Sequence, residues 1–369
     1  MDEVPTHNTI DNWVRKCGLD EIRHTPEALK DMDYAVVIDE CMMIGSEKLL
    51  PVLAVPAEHQ GRPLQLNDVK VIGFNVKPSW SAETVSVTLN QNIEAVGKKP
   101  SYTISDNGRT MSKAIGLSNY TWHRDISHTL AMFMERVYKD DTDFVDFNKK
   151  LVTCKQQYCM KEIAYLQSPS QRTKARFMNL SDYIRWADNM LQIFHKLSRH
   201  EREAFSFLRT YASFVEEMKE MVSCIHFIET QMKHNGLSKK TIAVCRRHVC
   251  RTVMCGNGRM RRVGLQILDY LAEEEPLLKD NETANNSSDI IESIFGIFKY
   301  NQSPNKLNGV TARVLHLPVI LAYTGECVPM NYNLKERLCR TKIRDINLWR
   351  DENLMENLVA KRITTLKTA

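Results

Sequence analysis

Apolar residues follow two rhythms along this chain. Between residues 33 and 150 they form short runs broken by turn residues. Between 150 and 285 they recur at helical spacing. The stretch Asp33 to Val55, DYAVVIDECMMIGSEKLLPVLAV, sets the first rhythm. Its β-branched run Ala35 to Ile38 predicts a buried strand ending on Asp39 and Glu40. A turn at Gly45 and Ser46 leads to a second run, Leu49 to Val55, and Val69 to Val76 predicts a third strand. Pro78, Trp80 and Ser81 precede a helix predicted from Ala82 to Val96, which Gly97 and Pro100 stop. Tyr102 to Ile104 reads as a fourth strand and ends on Asp106-Asn107-Gly108. A helix from Arg109 to Ile115, a fifth strand from Tyr120 to His123 and a long helix from Ile126 follow. Three strands in a meander, then alternating helices and strands, predict an α/β fold with a mixed sheet flanked by helices.

The second rhythm predicts a large all-α insertion over residues 151–287. Strand signals vanish there, glycine is nearly absent before Gly236, and amphipathic patterns run from Leu180 to Leu197 and from Glu203 to Met232. The polar run Asp280 to Asp289, DNETANNSSD, reads as a flexible boundary. The α/β domain, begun over 31–150, then resumes over 288–326, where Ser288 or Asp289 caps a helix carrying Ile290, Ile291, Ile294, Phe295 and Phe298. Residues 327–369 read as a basic helical tail. Residues 1–30 resemble the second helix of a helix-turn-helix, with Thr6 or Thr9 as cap, Gly18 as stop, and Arg15 and Lys16 outward. No first helix precedes it, so the segment is either a partial DNA-reading remnant or a capped linker helix.

Of the 369 residues, 43% are hydrophobic and 26% charged, enough for a real core in a chain with no apolar run of membrane-spanning length. Net charge is only +5, but the cations cluster. One group is Lys161, Arg172, Lys174, Arg176, Arg185 and Lys196; another is Arg246, Arg247, Arg251, Arg259, Arg261 and Arg262. Such clusters permit a polyanionic partner. Ten cysteines without a disulfide-like spacing point to a reducing compartment.

Three acids recur in matching contexts: Asp39 after the first strand, Asp106 after the fourth, and Glu292 on the helix after the insertion. In the predicted sheet the first and fourth strands are neighbours. Carboxylates converging there repel unless divalent cations neutralise them. Two such ions about 3.5–4 Å apart can activate an attacking oxygen and stabilise a leaving one at phosphorus.

With VVIDE around Asp39, YTISDNG around Asp106 and SDIIESIFGIFK around Glu292, the chain resembles the DDE transposases. Their RNase H-like catalytic domain carries a helical insertion between the second Asp and the Glu in some branches. HRDISH supplies Asp125-x-x-His128, similar to the element seen in hAT-like and Mutator-like members. The resemblance implies metal-dependent cleavage and joining of DNA strands. Asp39, Asp106 and Glu292 would be both catalytic residues and ligands of two Mg²⁺ or Mn²⁺ ions, with Asp125 and His128 supporting them from behind. It implies double-stranded DNA as partner, both element ends and target, and a homodimer or higher oligomer on it. The location would be the nucleoid in a prokaryote or the nucleus in a eukaryote. A catalytically silent DNA-binding relative and an RNase H-fold nuclease without strand transfer are the alternatives.

Plainer roles stand beside several of these residues. Glu40 points to the opposite strand face and reads as a bystander. Asp125 and His128 could brace a helix start. Arg109 and Lys299 suit phosphate contact or a solvated face. Trp186 could stack on a base, or pack with Tyr183 and Met190 in a helix core. Arg259, Arg261 and Arg262 open an arginine-rich helix suited to phosphate. The GNG turn before them lacks the strand and the Lys-Ser/Thr ending of a nucleotide loop. Cys245, His248, Cys250 and Cys255 hint at zinc, but their spacing matches no usual finger and reduced thiols fit better.

Overall fold

The computed structural model describes residues 4–39, 42–170, 176–300, 309–324 and 333–368. Glu40, Arg172, Lys174 and the expected boundary at 326/327 lie outside the described residues. The chain divides into an α/β unit, residues 1–125 with 284–369, and a helical unit, Ile126–Thr283. The division falls after Asp125, earlier than the pattern of strand signals suggested.

The α/β unit holds a six-stranded mixed sheet. Its strands are β1 (Tyr34–Ile38), β2 (Met42–Ile44), β3 (Glu47–Pro56), β4 (Lys70–Lys77), β5 (Thr103–Ser105) and β6 (Trp122–Arg124). β1 lies at the centre, antiparallel to β3 and parallel to β5. β4 and the short β2 pair antiparallel with β3, and β6 runs parallel to β5. The meander and the two crossovers thus follow the sequence reading. β1 is apolar throughout because helices and neighbours bury both its faces.

Helices α2 (Ala82–Val96) and α3 (Arg109–Ser118) cover one face. Val85, Leu89, Ile93, Met111, Ala114 and Ile115 pack there against Val36, Ile38, Leu50 and Val52. Ser81 caps α2 by accepting from the Thr84 N–H, and Gly97 ends it at φ 76°, where a side chain would be strained.

The ends of the chain differ from expectation. Helix α1 (His7–Leu29) continues through Gly18 and Pro26 instead of stopping at the glycine. Gly18 is there for close approach: a Cβ would sit 1.7 Å from the Leu315 carbonyl oxygen. The residues expected to form a basic tail include α14 (Leu334–Arg340) and α15 (Ile343–Asn353), and both pack on α1. Ile346 joins Leu19, Ala312 and Leu315 in a second core. An apolar stripe on α1 met a partner far along the chain, which no local pattern announces. Between them in sequence lie α12 (Asp289–Tyr300) and α13 (His316–Tyr323), and α16 (Leu358–Thr368) follows.

The helical unit begins with α4 (Ile126–Tyr138), α5 (Thr142–Tyr158) and α6 (Leu180–Ile193). The short α7 (Arg199–Ala204) and α8 (Phe207–Thr210) lead to α9 (Ala212–Asn235), so the single helix expected from Glu203 is broken in two places. α10 (Lys239–Arg251) and α11 (Gly258–Glu274) complete the unit. α9 is its spine, burying Met218, Met221, Cys224, Ile228 and Met232.

Candidate active site at the strand ends

The register of the parallel strands aligns the acids. Val36 pairs with Thr103 and Val37 with Ile104. Carried on two residues, this register sets Asp39 opposite Asp106. On the other side Ser105 pairs with Arg124, which sets Asp106 opposite Asp125. The Asp125 N–H still donates to the Ser105 carbonyl at 2.8 Å, so the ladder reaches that far. Three aspartates therefore end three adjacent parallel strands, about 4.8 Å from one strand to the next. The carboxyl ends of parallel strands are the usual place for a ligand in an open α/β sheet.

The three differ in surroundings. Asp39 is buried, at 4% exposure. Asp106 is half-buried, and its Oδ1 accepts from the Gly108 N–H at 3.1 Å, shaping the turn that starts α3. A Cβ at Gly108 would press on that carboxylate. Asp125 is fully buried. Its Oδ2 accepts from the Ser288 N–H at 2.6 Å and from the Ser288 hydroxyl at 2.9 Å. Ser288 immediately precedes α12, so a buried carboxylate sits at that helix's positive end.

The segment before α12 is bolted to the sheet. Asn285 N–H donates to the Tyr102 hydroxyl at 2.7 Å, and Asn285 Nδ2 donates to the Pro56 carbonyl at 2.9 Å. The Tyr102 hydroxyl itself donates to the Ala57 carbonyl. His123 packs edge-on against the Tyr102 ring, centroids 4.8 Å apart. Ala284, Asn285, Asn286 and Ser288 are all buried. The polar run read as a flexible boundary is in its second half a buried latch. The Asn285 side chain satisfies a backbone carbonyl of the sheet and the Ser288 hydroxyl the Asp125 carboxylate, chemistry that composition alone reads as loop.

α12 carries Glu292 in its first turn, on the exposed side, with Ile290, Ile291, Ile294, Phe295 and Phe298 buried opposite. Lys299 is exposed in the last turn, seven residues on and so on the same side. Among the described residues, no three His, Cys, Asp or Glu side chains gather closely enough to hold a metal ion. The donor chemistry of Asp39 and Asp106 nonetheless fits Mg²⁺ or Mn²⁺: carboxylate oxygens are the hard donors these ions take.

The remaining residues divide sharply. Arg109 is exposed at the start of α3, and Arg262 is exposed on α11. Arg261 is exposed with its Nε donating to the Gly256 carbonyl at 2.9 Å. His128 is half-buried on α4, in the helical unit.

Arg15 pairs with Asp11 on its own helix, and Lys16 Nζ donates to the Leu338 carbonyl at 3.4 Å. Both serve the packing of α1 rather than an outward face. Trp186 packs edge-on against Phe205 and donates its indole N–H to the Leu166 carbonyl at 2.9 Å, the core role.

Arg259 is the clearest departure from expectation. Its guanidinium binds Glu217 (Nε to Oε1, 2.9 Å), Asp141 (2.8 Å) and Asp143 (2.8 Å), so it is committed inward.

Cys245 is buried, and burial pushes its thiol up to about 12. Cys250 and Cys255 are exposed, while the His248 ring stacks on Phe227 at 3.8 Å.

No described helix is long and apolar enough to cross a membrane. Compared with known proteins, the chain matches no family model and no curated protein.

Proposed function

We propose that the chain is a metal-dependent DNA strand-cleaving and strand-transferring enzyme of the DDE transposase type, its α/β unit RNase H-like. The observation that carries this reading is the register: extended by two residues, it puts Asp39 and Asp106 at matching positions just past the ends of neighbouring parallel strands. Two like charges so close repel, and a bound divalent cation would remove the repulsion. Glu292 is the third ligand in this reading, on a helix whose start Asp125 tethers to the same strand ends. Divalent ions, when bound, would supply Lewis-acid polarisation of the attacked phosphate. The chain's own share is positioning: β1 and β5 fix two carboxylates, the Asn285–Tyr102 latch fixes the approach of α12, and Arg109 and Lys299 offer charge to the DNA backbone. Double-stranded DNA is then the substrate, and a homodimer or higher oligomer the working form.

The test is a cleavage and strand-transfer assay on duplex DNA in Mg²⁺ or Mn²⁺, comparing wild type with Asp39→Asn, Asp106→Asn and Glu292→Gln. The reading expects metal-dependent nicking and joined products from the wild type and neither from the variants. Hydrolysed ends that never join would instead indicate a nuclease. Equal behaviour of wild type and all three variants would sink the catalytic assignment and leave a DNA-binding relative.

A further inference from the structure

We infer that one face of α10 is a docking surface for the sugar–phosphate backbone of duplex DNA. The thirteen residues of α10, KKTIAVCRRHVCR, carry five Lys or Arg and no acid. Tertiary structure sorts these five. Lys239 pairs with Asp280 at 2.6 Å and Arg246 with Glu275 at 2.7 Å. Lys240, Arg247 and Arg251 are exposed and make no ion pair among the described residues. At about 100° per residue, positions 240, 247 and 251 fall within roughly 20° of one line along the helix. The buried positions Thr241, Ile242, Cys245 and Val249 face the other way, holding the stripe outward.

Three cations spread over about 16 Å of helix match a duplex, which carries a negative charge about every 1.7 Å along its axis. Polyanion charge is complementary to this face. Its exposed charged groups are cations only, and spread along the helix axis they match a row of phosphates. Such a surface positions a duplex without selecting sequence. Exposed guanidinium and ammonium groups without a protein partner gain by displacing condensed counterions, whereas Arg259, already held by three carboxylates, does not. The DNA partner rests on the function proposed above, but the stripe involves none of Asp39, Asp106 and Glu292.

The experiment is fluorescence anisotropy of the full chain with a 30-base-pair duplex of random sequence, titrated at several salt concentrations. The neutral triple variant Lys240→Ala, Arg247→Ala, Arg251→Ala should lower the slope of log affinity against log salt by about 2.7, near 0.9 per cation. The charge-keeping triple Lys240→Arg, Arg247→Lys, Arg251→Lys should retain the wild-type slope. An unchanged slope in the neutral triple overturns the inference, and so does a wild type that binds no duplex. Displacement of the duplex by polyglutamate at equal charge also overturns it, in favour of an acidic protein partner. Asp39→Asn serves as the separating control. If the wild type cleaves nothing while the neutral triple loses its slope, the catalytic reading fails and the docking surface stands. If Asp39→Asn abolishes cleavage while the neutral triple keeps its slope, the reverse holds.

Discussion

Each unit of this protein buries acids, and the two handle them differently. In the helical unit Glu217 is buried on α9 and closed on every side. It accepts from the Tyr138 hydroxyl at 2.7 Å, from Asn257 Nδ2 at 2.7 Å and from the Arg259 guanidinium. In the α/β unit Asp39 and Asp106 end adjacent strands in register, acid beside acid. A buried carboxylate matched by a cation holds a structure together. Two carboxylates at neighbouring strand ends add repulsion. Asp125 stands between these cases: fully buried, yet matched by the N–H and hydroxyl of Ser288.

Breaking the matched acid should have the largest effect. Arg259→Leu strips Glu217 of its cation and leaves the carboxylate buried, at a cost of about 3–5 kcal/mol. For a unit of this size that lowers the melting temperature by roughly 10 °C, read by circular dichroism. A melting temperature within 2 °C of wild type, roughly the shift of 1 kcal/mol or less, would show that the network contributes little.

The aligned pair should respond more weakly. Asp39→Asn and Asp106→Asn each remove one of two like charges and keep a side-chain oxygen that can accept, as Asp106 Oδ1 does from the Gly108 N–H, so thermal stability should fall far less than in Arg259→Leu. On the function proposed above, metal-dependent DNA cleavage should meanwhile fall by at least about 10²-fold. A loss of stability comparable to that of Arg259→Leu would mean the pair is structural.

Asp125 sharpens the comparison because its effect should be local. Asp125→Asn weakens two charge-assisted hydrogen bonds at the start of α12 and should cost about 1–2 kcal/mol. Faster amide exchange in the first turn of α12, with β1 unaffected, is the expected signature. Uniform change across the unit would refute a local tether.

The smallest effect concerns Glu47. It is buried on β3 and its Oε2 accepts from the Val310 N–H at 2.7 Å. Burial lifts its carboxyl above the ordinary 4.5, and that hydrogen bond opposes the lift without cancelling it. The folded state therefore holds the proton more tightly than the unfolded one. The stability this contributes is present at low pH and is lost as pH rises through the raised value. Glu47→Gln keeps an acceptor for Val310 and removes the charge. The variant should match wild type near pH 4 and exceed it at pH 8, in urea denaturation at both values. Wild type gaining on the variant as pH rises would reverse the assignment.

Much of the α/β unit was legible in the chain itself. Short continuous apolar runs and turn residues specify β1, β3 and β4, and Ser81 and Gly97 mark the ends of α2, because these signals act between residues near in sequence. The same locality put Asp39 and Asp106 at strand ends. It failed at Gly18, where the glycine answers to a carbonyl of Leu315 and not to a helix stop. It failed again at 284–288, where Asn and Ser latch onto a sheet formed far earlier in the chain.

Local pattern also cannot sort charges. The arginines of α10 and α11 look alike in sequence, and only the fold turns Arg259 onto three carboxylates while leaving Arg247 and Arg251 exposed. The sequence by itself determined five of the six strands, their order and the acids after β1 and β5, since those follow from local apolar runs and the handedness of crossovers, while the short β2 carried no signal of its own. Only tertiary structure decided the register that sets Asp39 against Asp106, the tether of α12 and the partner of each cation. Those depend on contacts between residues distant along the chain.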